Sequence, residues 1–185
     1  MAVLSADENI RAFFDNLATD AMHYEEACLH TYLQGSAYTL EIETSTTHED
    51  TQYLVEGNKI SFVYKRKDYM CNIVNVERTE SAVRITCWGM LLELTNESRD
   101  AYKSNGAMSL VRYLNYIDPE HVLTLGINEV SDKAISNAWE GSQTVLARLY
   151  SIANSFDAEF EFITELNDDY SLKQITLNAY RKNDD

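Results

Sequence analysis

Proline is almost missing from this chain: Pro119 is the only one in 185 residues, and glycine numbers six. With apolar residues at 45% of the composition and no low-complexity tract, the sequence excludes a disordered or proline-rich polymer and calls for a real core. Cysteine is scarce and odd in number. Cys28, Cys71 and Cys87 show no C-x-x-C spacing and each sits in an apolar, strand-like context, which argues against a disulfide framework or a thiolate metal site and for buried thiols. Basic residues are half as many as acidic ones, 15 against 30, and the net charge of -15 at pH 7 argues against wrapping nucleic acid, because phosphate binding needs clustered Lys and Arg. The one basic run, Lys65-Arg66-Lys67, is followed at once by Asp68 and reads as a solvated hairpin turn. No apolar run approaches the ~20 residues of a membrane helix. Met1 to Leu4 is followed by Ser5-Ala6-Asp7-Glu8, without the basic start and apolar middle of a secretory signal, so the expectation is synthesis in a cytoplasm and no membrane insertion by this segment.

Catalytic signatures are missing as well. There is no H-E-x-x-H, no G-x-S-x-G, no phosphate-binding glycine loop and no thiol pair. His23, His30, His48 and His121 are scattered through different segments, and a ligand set would need a fortuitous fold. The acidic pairs Glu25-Glu26, Glu49-Asp50 and Asp168-Asp169 invite a glycosidase reading, but adjacent carboxylates in turns rarely face each other across a cleft. No catalytic residue, cofactor or metal ligand is therefore expected. The twelve tyrosines are the remaining oddity. Tyr32, Tyr38, Tyr53, Tyr64 and Tyr69 fall in or beside expected strands, where amphipathic rings suit sheet packing and also subunit contacts.

What is present is periodicity. Ser5 to Glu8 has capping-box spacing and Ile10, Phe13, Phe14 and Leu17 follow at helical offsets, which predicts an amphipathic helix near 6–18 within an N-terminal segment 1–22. From residue 23 to 95 the texture is β. Gly35-Ser36 separates strands near 26–34 and 37–45, Gly57-Asn58 separates TQYLVE from KISFVYK, Arg66 to Asp68 leads into YMCNIVNVE, and Arg78 to Ser81 leads into AVRITCWGM. Alternation from Leu40 and Ile42 turns Glu41 and Glu43 away from the core. Beyond the polar stretch 96–106, in the segment 96–185, a short helix carrying Met108, Leu110, Val111, Leu114 and Ile117 ends before Pro119, and HVLTLGI offers a strand. Val145, Leu146, Leu149, Ile152, Ala153 and Phe156 then mark a helix over 143–155 with Ser142 as its cap, Asp157 marks a corner, and Ala158, Phe160 and Phe162 start a strand returned by Asn167 to Asp169 into Leu172 to Tyr180. Phe156 and Phe160 are both expected in the core. The fold class is α+β: an antiparallel β-barrel or sandwich followed by a helix-plus-hairpin module.

A resemblance runs along the same residues. Tyr32 to Glu97 resembles the first domain of the phage minor structural proteins of long-tailed phages infecting Gram-positive bacteria, also called tail-associated lysins or prophage endopeptidase tail proteins. The block W-E-G-x-x-T-x-x-x-R-L-Y-S-I-A-N-x-F-D-A-E-x-E-F is similar to the second domain of streptococcal and lactococcal members, carried here by Trp139, Glu140, Gly141, Thr144, Arg148, Leu149, Tyr150, Phe156, Asp157, Ala158, Glu159 and Phe162. The resemblance implies a tail-tube or baseplate-hub-like fold and a tail-tip hub, trimeric, whose β-domains form a ring continuing the tail tube. It implies partners: the chain itself as a homotrimer, the distal tail protein, the tape measure protein, and receptor-binding or tail fibre proteins. DNA would pass through without specific binding, and the place of action would be the virion tail tip after synthesis in the host bacterium. Any wall-degrading activity in such proteins lies in a C-terminal extension.

Two features depart from that family: many members begin with a short strand rather than a helix, and they continue past the point where this chain ends at Arg181 to Asp185. If the acidic excess faces the channel, the candidates are Glu41, Glu43, Glu49 and Asp50. The readings from other classes are a peptidoglycan hydrolase or endopeptidase, which needs a zinc motif or a paired nucleophile and base, and a carbohydrate receptor-binding module, which needs an exposed aromatic platform.

Overall fold

The computed structural model describes residues 1–32, 37–94 and 96–182. About half of the described residues are in strands and 15% are in helices. It divides into two units, Met1–Met90 with Thr164–Lys173, and Leu91–Ile163 with Gln174–Asp185.

The first unit is a seven-stranded sheet curled into a half-barrel. Its strands are β1 (Ala2–Leu4), β2 (Ile10–Phe13), β3 (Tyr24–Thr31), β4 (Tyr38–Ser45), β5 (Lys59–Tyr64), β6 (Lys67–Arg78) and β7 (Ala82–Gly89), in the order β2-β1-β5-β6-β7-β4-β3 with every neighbour antiparallel. Period-two alternation drives it. Leu40 and Ile42 of β4 and Val83, Ile85 and Cys87 of β7 point into a core that also holds Val3, Phe14, Met22, Leu54, Ile60, Cys71 and Ile73. Cys71 and Cys87 are buried as expected, whereas Cys28 on the edge strand is half-buried. Burial, and then the neighbouring Cys87 thiol, pushes the Cys71 thiol up from its ordinary pKa.

The expected N-terminal helix is not formed; the chain begins instead with the short strand β1. Ser5 and Asn9 close a tight turn: the Ser5 N–H donates to the Asn9 carbonyl at 2.9 Å, the Asn9 N–H donates to Ser5 Oγ at 3.2 Å, and Glu8 takes a positive φ of 63°. The helical spacing of Ile10, Phe13, Phe14 and Leu17 is coincidental, because only Ala12 and Phe14 are buried while Leu17 is 96% exposed. Tertiary pairing of Ala2–Leu4 with β2 and β5 outweighs the local capping signal. Past β2, the Asn16 carboxamide does the work of a strand: its Nδ2 donates to the Tyr24 carbonyl at 3.0 Å and its Oδ1 accepts from the Tyr24 N–H at 2.9 Å.

TQYLVE is not a strand either. Glu49–Tyr53 is a 3-10 helix capped by His48, whose Nδ1 accepts from the Asp50 N–H at 3.2 Å, and the Arg78 guanidinium donates to the Thr51 and Leu54 carbonyls at 2.7 and 2.9 Å. The Gly35-Ser36 turn lies outside the described residues.

The second unit holds α1 (Leu110–Ile117), α2 (Val145–Ser155) and the larger part of β8 (Leu123–Asn128), β9 (Ala158–Leu166) and β10 (Leu172–Arg181), hydrogen-bonded in the order β8-β10-β9. The β8-β10 pair is parallel, with Leu123 opposite Ile175 and Leu125 opposite Leu177. Three two-residue ladders bind the loops: Ser98–Arg99 with Gln143–Thr144, Tyr102–Lys103 with Ala138–Trp139, and Met108–Ser109 with Ala134–Ile135. The cap of α2 is Thr144, not Ser142; its Oγ1 accepts from the Ala147 N–H at 3.2 Å. Asp157, at φ 51°, turns helix directly into strand. Phe156 is fully buried as expected, whereas Phe160 is only half-buried, edge-on to Phe162.

Candidate functional site

The register of the first unit places one face of β3, β4, β7 and β6 outward. One rung across these strands reads Glu26, Glu43, Arg84, Glu77, and the next reads Cys28, Glu41, Thr86, Asn75. Four carboxylates thus share this face with the Arg84 guanidinium, which donates from Nε to Glu43 Oε2 at 3.0 Å and from Nη2 to the same oxygen. The bond to Glu43 raises the Arg84 pKa, with Glu77 and Glu26 acting in the same sense. Trp88 stands on the same side of β7, two residues beyond Thr86, and is 36% exposed.

Glu41 and Glu43 therefore lie together on this acidic face. Glu49 and Asp50 do not join them: they stand on the 3-10 turn, where Asp50 lies 3.7 Å from His48 Nδ1. Asp50 instead borders a groove of about 740 Å³ beside β2, lined also by Arg11, Phe13, Asp15, Leu17 and Asp20. The expected helix over 6–18 hides this groove, because it takes in Arg11, Phe13, Asp15 and Leu17; the signal that could have found it is Ser5 paired with Asn9 around a turn, followed by the alternation of Ala12 and Phe14.

The block from Trp139 to Glu159 converges on Arg148 in the second unit. Arg148 is completely buried, and its hydrogen-bond partners among the described residues are oxygens of neutral groups: Gln143 Oε1 at 3.1 Å from Nε, and the carbonyls of Arg99, Asp100 and Gly141 at 3.3, 3.4 and 3.3 Å from Nη2. Its carbon Cζ lies 4.5 Å over the Trp139 ring. Trp139 donates from Nε1 to Ser151 Oγ at 2.9 Å and meets Tyr113 edge-on, and Tyr113 in turn meets Phe156 edge-on. Thr144 caps α2 and Leu149 is fully buried. Glu140, Asp157 and Glu159 are exposed and lie outside this nucleus. The arrangement ties the loops at 99–100 and 141–143 to α2 through the planar fork of the guanidinium. Among the described residues, no group of three or more His, Cys, Asp or Glu side chains is placed to hold a metal ion.

The same architecture occurs in solved tail proteins. The prophage tail protein gp18 from Listeria monocytogenes EGD-e superposes with a TM-score of 0.61 at 12% identity, covering 95% of this chain and 49% of that one. The tail protein from Neisseria meningitidis MC58 does so with a TM-score of 0.59 at 13% identity, again over 95% of this chain and 49% of that one. The chain has the fold of these tail proteins. At such identities the likeness is one of fold, and the chain spans about half the length of either. No protein-family model matches the sequence, and no curated protein matches it.

Proposed function

We propose that this chain is a structural, non-enzymatic component of a phage tail, acting at the tail tip as part of a hub that closes or extends the tail tube. The observation that carries this reading is the shared fold along 95% of the chain with two proteins named for their place in tails. In this role the chain assembles as a homotrimer and forms a ring with the distal tail protein. The ring joins the tube to receptor-binding or lytic parts, with the tape measure protein and DNA passing within it. The face bearing Glu26, Glu41, Glu43 and Glu77 suits a wall that repels a polyanion and lets it slide, because a wall rich in Lys and Arg would hold DNA through counterion release. The Arg148 nucleus of the second unit braces that unit.

Mass photometry of the purified chain, alone and with the distal tail protein, tests the assembly, and antibody labelling of virions tests the location. Trimers and label at the tail tip are the expected results. A chain that stays monomeric with its partner and is missing from virions overturns the proposal, as does wall-degrading turnover abolished by a single substitution here.

A further inference from the structure

The β5-β6 hairpin turns through Lys65 and Arg66, and both take left-handed backbone angles, φ 49° and 64°. Positive φ at both central residues is the geometry of a type I′ turn, which Asn-Gly fills without strain. Lys and Arg are poor choices for it, since each carries a Cβ that crowds the backbone there. Local strain of this kind, at a position where a better sequence is simple, points to a demand on the side chains themselves. The demand is visible in the surroundings. Residues 63–67 are all exposed, Val63 by 59% and Tyr64 by 48%, and Lys65 Nζ lies 5.1 Å from the Tyr64 ring centroid. With Lys67 following, the tip concentrates three cations beside an exposed apolar and an exposed aromatic side chain, on a chain whose net charge is -15.

The groove beside β2 has the opposite character. Asp15, Asp20 and Asp50 line it, with the Arg11 guanidinium and the Met1 N-terminal ammonium as its cations, and Phe13 and Leu17 stand 40% and 96% exposed at its wall. We infer that the Val63–Lys67 hairpin tip docks into the groove bordered by Asp15, Asp20 and Asp50 on a second copy of this chain. The aromatic and aliphatic groups cover Phe13 and Leu17, and the cations meet the carboxylates. Such a contact is head-to-tail, using different surfaces on the two copies, and therefore closes a ring when the rotation between copies allows it. A second copy fits better than a nucleic acid, because Tyr, Arg and an exposed Val form a protein-contact set and the remaining surface repels phosphate. This rests on the assembly proposed above.

The test is chosen so that folding and docking move in opposite directions. Lys65→Asn with Arg66→Gly relieves the turn and should leave the melting temperature equal or higher, while raising the concentration for half-assembly by roughly tenfold or more. Lys65→Asp with Lys67→Asp should abolish assembly, and adding Asp15→Lys with Asp20→Lys in the same chain should restore it. Assembly that persists unchanged in both tip variants overturns this contact while leaving the tail reading in place. A wild-type chain that is monomeric alone and with the distal tail protein overturns the assembly reading itself. Duplex-DNA binding that the tip variants lose while assembly persists assigns the tip to phosphate and overturns the docking.

Discussion

The Tyr38 hydroxyl reaches across Gly89 and pairs with both backbone groups of Met70, donating to its carbonyl and accepting from its N–H at 2.9 Å. β7 ends at Gly89, opposite Cys71, so Met70 has no ladder partner on that side, and the phenol supplies one. A Cβ on Gly89 would lie 2.8 Å from the Tyr38 ring, so the glycine is needed for this close approach rather than for its backbone angles. Tyr38→Phe should cost about 1–3 kcal/mol, the penalty for stranding a buried amide pair. Gly89→Ala should destabilise through the same ring, and the two changes together should be less than additive in urea unfolding.

The same phenol makes the protein sensitive to alkali. Burial raises the Tyr38 pKa far above the ordinary value, and burial likewise raises that of the Cys71 thiol. Both groups are held neutral in the fold, so the stability they contribute is complete below their unfolded values of about 10 and about 8.5 and is lost as pH rises through the folded values. The urea midpoint should fall from about pH 9 upward, and less steeply in Tyr38→Phe than in wild type. Parallel curves for the two proteins would remove Tyr38 from this account.

Arg148 ties the loops of the second unit to α2. Its removal strands the Gln143 side chain and three carbonyls and leaves a cavity under Trp139. Arg148→Ala should cost about 3–5 kcal/mol. Arg148→Lys should recover only part of that loss, since a point ammonium cannot satisfy a planar fork. Trp139→Phe should cost less, about 1–2 kcal/mol, from the Ser151 bond and the ring contact. A double-mutant cycle between Arg148 and Trp139 with no coupling would show that the stacking is incidental.

Phe156 and Phe160 separate what the pattern predicts from what packing decides. Phe156 is fully buried and Phe156→Ala should cost about 3–5 kcal/mol, whereas Phe160 is half-buried and its truncation should cost well under that. Equal losses on thermal unfolding would contradict the packing described.

Where alternation carried the signal, the sequence was readable: β4, β7 and the hairpin of β9 and β10 follow from residues spaced by two, and α2 from residues spaced by three and four. It misled where a few apolar residues fit two periods, as Ile10, Phe13, Phe14 and Leu17 do, because Ala2–Leu4 is too short to announce a strand without its partners β2 and β5. The same holds for TQYLVE, whose 3-10 turn depends on Arg78 from a distant strand. Arg148 stood out only through a resemblance; nothing in its neighbours signals a buried cation held by carbonyls. The outward parity of Glu41 and Glu43 was legible, but the rung that joins Glu43 to Arg84, Glu26 and Glu77 needs the register of four strands.

That rung supports a last prediction, which tests the proposed channel wall. Replacing Glu41 and Glu43 by Lys reverses two charges on the acidic face and frees Arg84 from its partner, turning the local balance cationic. The fold should survive, because an exposed ion pair is worth about 0–1 kcal/mol. If this face lines the channel, DNA passing within a Debye length of ~8 Å at physiological salt meets the new cations with little screening, and counterion release should slow its exit. Ejection from assembled particles should therefore be slower at low salt, with the deficit shrinking as salt rises. Glu41→Gln with Glu43→Gln should give a smaller effect of the same sign, since it removes repulsion without adding attraction. Particles that assemble normally and eject at the wild-type rate with both pairs of substitutions would place this face outside the channel.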